Sequence, residues 1–221
     1  MLEGIITGLQ VMEDLPEDFQ NELEAILKED GFPNWEAAGE RLISNEQLTS
    51  SISEKEITAV RWWCRRWDGQ KLPMPHPDWM ERIESGEGSL AYADLAGWDL
   101  REARLAGSEL IGANLAGANL SRVDVFDAVL TKADLRGAIL RNTNLRGADL
   151  TGANLAGADL TGAQLWRADL PGANLTGANL FKANLSGADL TGANLSGADL
   201  RDANMFRCKI TGAHLVGVKR F

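Results

Sequence analysis

Residues 188–200 read ADLTGANLSGADL. Within this stretch a leucine returns every five positions, at Leu190, Leu195 and Leu200, and an alanine stands two residues before each. Extended in both directions, the register runs from Leu90 to Leu215 without insertion, giving 26 consecutive units. The central residue is Leu in 23 of them, with Val125, Met205 and Ile210 as exceptions, and the residue two before it is Ala in 20. Glycine ends 16 of the units.

A period of five fits neither the 3.6 residues of a helix nor the alternation of one long strand. The glycines also count against a helix, where each would cost about 1 kcal/mol relative to alanine. A chain that turns a corner every five residues does fit. The small and the large apolar residue then point inward, and glycine supplies a permissive backbone at the corner. Asp or Asn directly precedes the central residue in 18 units. These read as scaffold, because short polar side chains bond nearby backbone and hold turns.

In these units the chain resembles the pentapeptide-repeat family, whose unit is A(D/N)LXX, over about 60% of its length. The resemblance implies an all-β, right-handed quadrilateral β-helix with four units per coil. Twenty-six units then make about 6.5 coils, and roughly 4.8 Å between stacked strands gives a rod about 30 Å long. The expected architecture is this solenoid over 88–221, preceded by a small α-helical domain over 1–87.

If four units close a coil, residues 20 apart stack, and the two variable positions after each central residue sort onto four sides. The side of Leu95 has Gly in every second slot and, apart from Arg136, only Ala, Thr, Ser or Val in the first. The side of Leu90 is nearly as plain, broken by Tyr92, Ile111, Lys132 and Pro171. The side of Leu100 presents Arg101, Glu102, Arg122, Arg141, Phe181, Lys182, Arg201 and Asp202. Its neighbour, the side of Leu105, presents Phe126, Asp127, Arg146, Trp166, Arg167, Phe206 and Arg207. Phe126, Trp166 and Phe206 therefore recur on every second coil, about 10 Å apart. Aromatic and Arg residues gathered on an otherwise bland surface are the composition of an interface hot spot. The aromatic and basic members of the two decorated sides, together with Trp62, are the candidate partner-binding residues.

Charge divides the chain. Residues 1–87 carry 19 acidic and 8 basic residues, whereas 88–221 carry 13 and 14. The acidic part reads as helical. In PEDFQNELEAILKE, Phe19, Leu23, Ile26 and Leu27 share a face. A short helix follows in NWEAAGERLI, and a third begins at Ser53 with Glu56 completing a capping box. On that third helix Trp62 lies between Arg65 and Arg66, opposite the apolar face. A last short helix, PDWMERIES, brings Trp79 and Ile83 to the start of the rod, where a solenoid needs a cap. Trp79 and Ile83 are expected to cover Leu90 and Trp98.

No catalytic constellation is present: there is no phosphate-binding glycine loop, no HExxH and no GxSxG. His76 and His214 have no metal-ligand spacing with Cys64 or Cys208, so neither metal nor cofactor is expected. Cys208 occupies an inward small slot and reads as a core residue. Two cysteines make no disulfide framework, which together with the absence of a secretory signal or an apolar run of membrane-spanning length points to the cytoplasm.

The function expected is a non-enzymatic protein-interaction or scaffold module, with a protein as partner. An alternative comes from the family: some of its members mimic duplex DNA and bind type II topoisomerases such as gyrase. A duplex carries about one negative charge per 1.7 Å, whereas the repeat region here is net +1, which counts against mimicry. Direct nucleic-acid binding is disfavoured by the overall net charge of −10. At the far end, Val216, Val218 and Phe221 are candidates to plug the last coil, or two chains meet there as an end-to-end homodimer.

Overall fold

The computed structural model describes residues 82, 83, 85, 86 and 88–220. The chain divides into two units, Met1–Glu81 and Arg82–Phe221, and every described residue belongs to the second. The helices read over 16–67, and Trp62, Trp79 and Phe221, lie outside the described residues.

Except at Ser89 and Arg104, the residue before a central residue forms a parallel bridge to the residue twenty positions on or back. Asp94 pairs with Asn114, Asn114 with Asp134, and the series continues to Asp199 with Lys219. Four units therefore close one coil. Successive coils are tied by backbone bonds of a repeated kind: Leu95 N–H donates to Asn114 O at 2.7 Å, Gly97 N–H to Ala116 O at 2.8 Å and Asn114 N–H to Ala93 O at 2.9 Å. Within a coil, the alanine N–H closes a tight turn onto the preceding leucine carbonyl, as from Ala178 to Leu175 at 3.0 Å. The second residue of that turn has positive φ, +66° at Gly177, which a type II turn requires and glycine adopts most cheaply.

The turn corrects one expectation. The two variable residues after each central residue occupy the corners of the square, while each flat face is a three-residue strand ending at the central residue. The columns read from the sequence are thus four corners. They are named below by their first central residue, and each face by the central residue of its strand.

The core is a ladder. Every central residue from Leu90 to Leu195 is at most 1% exposed, and the alanine slots between them are closed almost as completely, apart from half-buried Ala103. Full burial of one leucine contributes about 1.5–3 kcal/mol, so the ladder dominates the stability of the rod. Thr143, a polar residue in an alanine slot, is buried and satisfied: it donates its hydroxyl to Leu120 O at 2.7 Å.

The two ends differ. At the start, Arg82, Ile83 and Ser85 are helical, Ile83 is buried, and Ile83 O accepts the Arg104 N–H at 3.0 Å, a bond that an earlier coil would otherwise receive. Trp98 fills an alanine slot of the first coil and is buried there. At the other end, Met205 and Leu215 are only half-buried and Ile210 is exposed. Val216 does not plug this end: as a corner residue it points outward, 78% exposed. Val218 stands in an inward slot and is half-buried.

Candidate interaction face

The flat faces are clad with Asp and Asn, and the structure accounts for them as scaffold. Their carboxyl or amide oxygens accept the N–H two residues on, at the corner: Asn179 Oδ1 from Phe181 at 3.1 Å, Asn204 Oδ1 from Phe206 at 3.0 Å. Amides also bond from coil to coil, with Asn114 Nδ2 donating to Asp94 Oδ1 at 2.8 Å and Asn144 Nδ2 to Asp124 Oδ1 at 2.8 Å. Such bonds hold corners in place and leave the corner side chains free to vary.

The two decorated corners, of Leu100 and Leu105, are the two rims of a single face. This is the Leu105 face, whose outward residues are Arg104, Asp124, Asn144, Gln164, Asn184 and Asn204. Sequence sorting found the rims and missed the strip between them. Its polar residues are cross-linked: Asn184 Nδ2 donates to Gln164 Oε1 at 3.4 Å, and Gln164 Nε2 to Gly162 O at 3.0 Å.

The rims are chemically different. On the Leu100 corner three of the four arginines are spent on the chain's own carboxylates. Arg101 pairs with Asp99 at 2.5 Å, Arg201 with Asp199 at 2.6 Å and Arg141 with Asp159 of the next coil at 2.5 Å. The hydrogen bond and charge of Arg201 hold the Asp199 carboxyl down at about 2. Burial pushes Asp159 up, but hydrogen bonds from Thr161 and Arg141 outweigh it and its pKa is lowered. Phe181 on this corner lies under Lys182, 5.0 Å from its ring centre, and under Arg201, at 5.9 Å.

On the Leu105 corner the arginines stack on aromatic rings instead. The Arg146 guanidinium lies 5.2 Å from the Phe126 ring centre and 4.8 Å from that of Trp166, inserted between the two coils that carry them. Arg167 lies 4.6 Å from Trp166, and Arg207 5.1 Å from Phe206. The aromatics that recur on every second coil are thus bridged by an arginine on the coil between. Trp166 is half-buried, whereas Phe206 is 65% exposed. Arg146, Arg167 and Arg207, with Arg122 and Lys182 on the other rim, form no ion pair among the described residues.

Backbone conformation marks the same place. Among the described residues nine non-glycine residues have positive φ, and seven sit on these two corners, among them Arg122, Arg167, Lys182 and Arg207 at +65°, +57°, +58° and +57°. A side chain there costs about 1–2 kcal/mol that glycine avoids. Strain of that kind concentrates at functional sites, and the Leu95 corner, with glycine in every such slot, has none of it.

Other reactive groups carry no site. Burial, helped by the charge of Asp189, raises the Cys208 thiol to about 11, so it stays protonated. Among the described residues no cluster of His, Cys, Asp and Glu is placed to hold a metal, and no helix is long and apolar enough to cross a membrane.

The repeat register agrees with a family model. Pentapeptide repeats match in eight copies over residues 89–125, 128–167, 158–197 and 183–219, more than half of the chain. The chain belongs to the pentapeptide-repeat family. The right-handed quadrilateral β-helix is accordingly its fold. Among solved structures, it is similar to the pentapeptide repeat protein Rfr23 from the cyanobacterium Cyanothece 51142, at 36% identity over 51% of this chain and 87% of that one, with a TM-score of 0.41. It is similar to HetL from Nostoc sp. strain PCC 7120, a pentapeptide repeat protein involved in heterocyst differentiation regulation, at 32% identity over 59% and 82%, TM-score 0.29. It also resembles QnrB1, a plasmid-mediated fluoroquinolone resistance protein, at 23% identity over 60% and 79%, TM-score 0.38. No curated protein matches. The family assignment rests on the repeat match.

Proposed function

We propose that this protein is a non-enzymatic interaction module that binds a protein partner on the Leu105 face, gripping it mainly along the Leu105 corner. The observation that carries this reading is the division between the rims: Arg101, Arg141 and Arg201 ion-paired on the Leu100 corner, arginines stacked on Phe126, Trp166 and Phe206 on the other. Stacked aromatics and arginines are the residues that carry most binding energy at interfaces. The stacking holds them in place before binding, so less side-chain entropy is lost on contact.

The binding set is therefore narrower than the two columns together. Arg146, Arg167 and Arg207 with their rings form its centre; Arg122, Phe181 and Lys182 flank it. Arg101, Arg141 and Arg201 serve the scaffold. The acidic residues 1–87, proposed as a helical domain with Trp62 on its surface, supply a second contact. A homodimer through the last coil is a further proposal, supported by the partial exposure of Met205, Ile210 and Leu215.

The alternative, mimicry of duplex DNA for a type II topoisomerase, needs a dense run of free negative charge. Asp99, Asp134, Asp159, Asp189 and Asp199 are each neutralised by an Arg or Lys of the chain. Replacing Phe126, Trp166 and Phe206 together with alanine tests the reading. The folded variant should no longer retain the protein that co-purifies with the wild type, and the chain should leave gyrase supercoiling unaffected.

A further inference from the structure

We propose that the Leu105 corner recognises carboxylates: the Arg146 and Arg167 guanidiniums, held against their rings, each grip an acidic side chain of a partner protein's exposed segment. The inference rests on the protein-interaction reading above and names the chemistry of the partner.

Arg146 is enclosed between Phe126 and Trp166, at 5.2 and 4.8 Å from the two ring centres. Flanked by two rings, the exposed guanidinium keeps N–H groups that no described residue of the chain takes, and a guanidinium's N–H fork matches a carboxylate in two parallel bonds. Arg146 is exposed, and its side chain donates no hydrogen bond and joins no ion pair among the described residues. Arg167, one coil further on, lies against one ring, that of Trp166, at 4.6 Å. Contrast within the molecule supports the assignment. Where the chain supplies its own carboxylate, as Asp199 does for Arg201, both oxygens are taken, Nε to Oδ1 at 2.9 Å and Nη2 to Oδ2 at 2.6 Å. The stacked arginines lack that internal partner.

Charge on the face points the same way. Among the described residues, the cations of this face and its two corners without an ion pair are Arg104, Arg122, Arg146, Arg167, Lys182 and Arg207, against the carboxylates Asp124, Asp127 and Asp202. Glu102, at the start of the Leu100 corner, stands well away from the stacked group. Coils about 4.8 Å apart set the spacing between forks, so an extended acidic segment laid along the rod meets Arg146 and Arg167 with neighbouring carboxylates. Stacking makes the site discriminating, because a lysine gives the charge and neither the fork nor the planar surface.

The test uses the full-length protein and two fluorescent ten-residue peptides, one rich in Glu and one with Gln in its place, with a labelled thymidine oligonucleotide as a third probe. Anisotropy titrations at low salt should show binding of the Glu peptide and none of the Gln peptide. Arg146→Ala should weaken it by roughly tenfold, the change expected for one charged bidentate pair. Arg146→Lys should weaken it nearly as much, and Arg136→Ala, on the Leu95 corner, should not. Equal binding of the Gln peptide, no loss on Arg146→Lys, or tighter binding of the oligonucleotide through the same residues would each overturn the proposal. Loss of the co-purifying partner on replacing Phe126, Trp166 and Phe206, with full retention by Arg146→Lys, would overturn it too while leaving the interaction reading standing.

Discussion

Opposite faces of one rod, built from the same five-residue unit, have been put to different uses. The Leu95 face is rimmed mostly by glycine and small residues, broken by Tyr92, Ile111, Lys132 and Pro171 on one corner and Arg136 on the other, and its outward Asp and Asn serve backbone and neighbouring coils. The Leu105 face has the same buried ladder beneath it and the same amide bonding, yet its rims carry rings and guanidiniums, several of them at strained positive φ. Stability and recognition are thereby separated by position within the unit. Inward slots fold the rod, and corner slots are available for binding. The plain face shows what the fold alone requires, and everything added on the other side is a departure from it.

The comparison can be broken most forcefully from inside. Leu165 lies fully buried directly before Trp166. Leu165→Ala should cost about 2–5 kcal/mol, seen as a large fall in the thermal midpoint, and Leu155→Ala beneath the plain corner should cost about the same. Next in size is the surface effect. Replacing Phe126, Trp166 and Phe206 with alanine should lower partner affinity by more than about tenfold, as hot-spot residues do, while the midpoint hardly moves in comparison with Leu165→Ala.

Glycine gives a smaller and sharper contrast. Gly177 on the plain corner has φ +66° with open space around it, so Gly177→Ala should destabilise by about 1–2 kcal/mol. Gly112→Ala should cost more, because a Cβ there would lie 2.7 Å from the Tyr92 ring. Arg167→Gly reverses the substitution on the decorated corner. Relief of about 1–2 kcal/mol of strain is offset by the greater freedom of glycine in the unfolded chain and by the lost stacking on Trp166. Stability should stay near the wild type while binding falls, and chemical denaturation measures the first independently of the second.

The smallest effect concerns pH. The Asp199 carboxyl is held at about 2 in the folded chain by Arg201, below the ordinary value of about 3.9. A depressed carboxylate stabilises the fold above its unfolded value, and that contribution is lost as pH falls from about 4 through about 2. The difference in midpoint between wild type and Arg201→Ala should therefore shrink over this window. Arg207→Ala should show no such convergence, since Arg207 has a ring and no carboxylate for a partner.

Much of this was legible before any coordinates. An uninterrupted register from Leu90 to Leu215 fixes which residues are inward, and sorting by twenty places Phe126, Trp166 and Phe206 in one column. The glycines mark a corner in the sequence, but a period of five does not by itself say that both variable residues belong to it, so the columns read as sides. The rims were read as one basic stripe, although DLR at 99–101 and 199–201 contains the local carboxylate that takes up Arg101 and Arg201. Arg141 gave no such local sign, since its partner Asp159 is on the next coil. The place of Arg146 between two rings emerged only when adjacent coils were stacked.

Site-specific photo-crosslinking tests the central claim most directly. A photoreactive amino acid is placed at Ser186, between Trp166 and Phe206 on the Leu105 corner, and in a second protein at Thr176 on the Leu95 corner. With the co-purifying partner present, the account predicts a crosslinked product from position 186 and none from 176. Crosslinking from 176 alone, or equally from both, would contradict it.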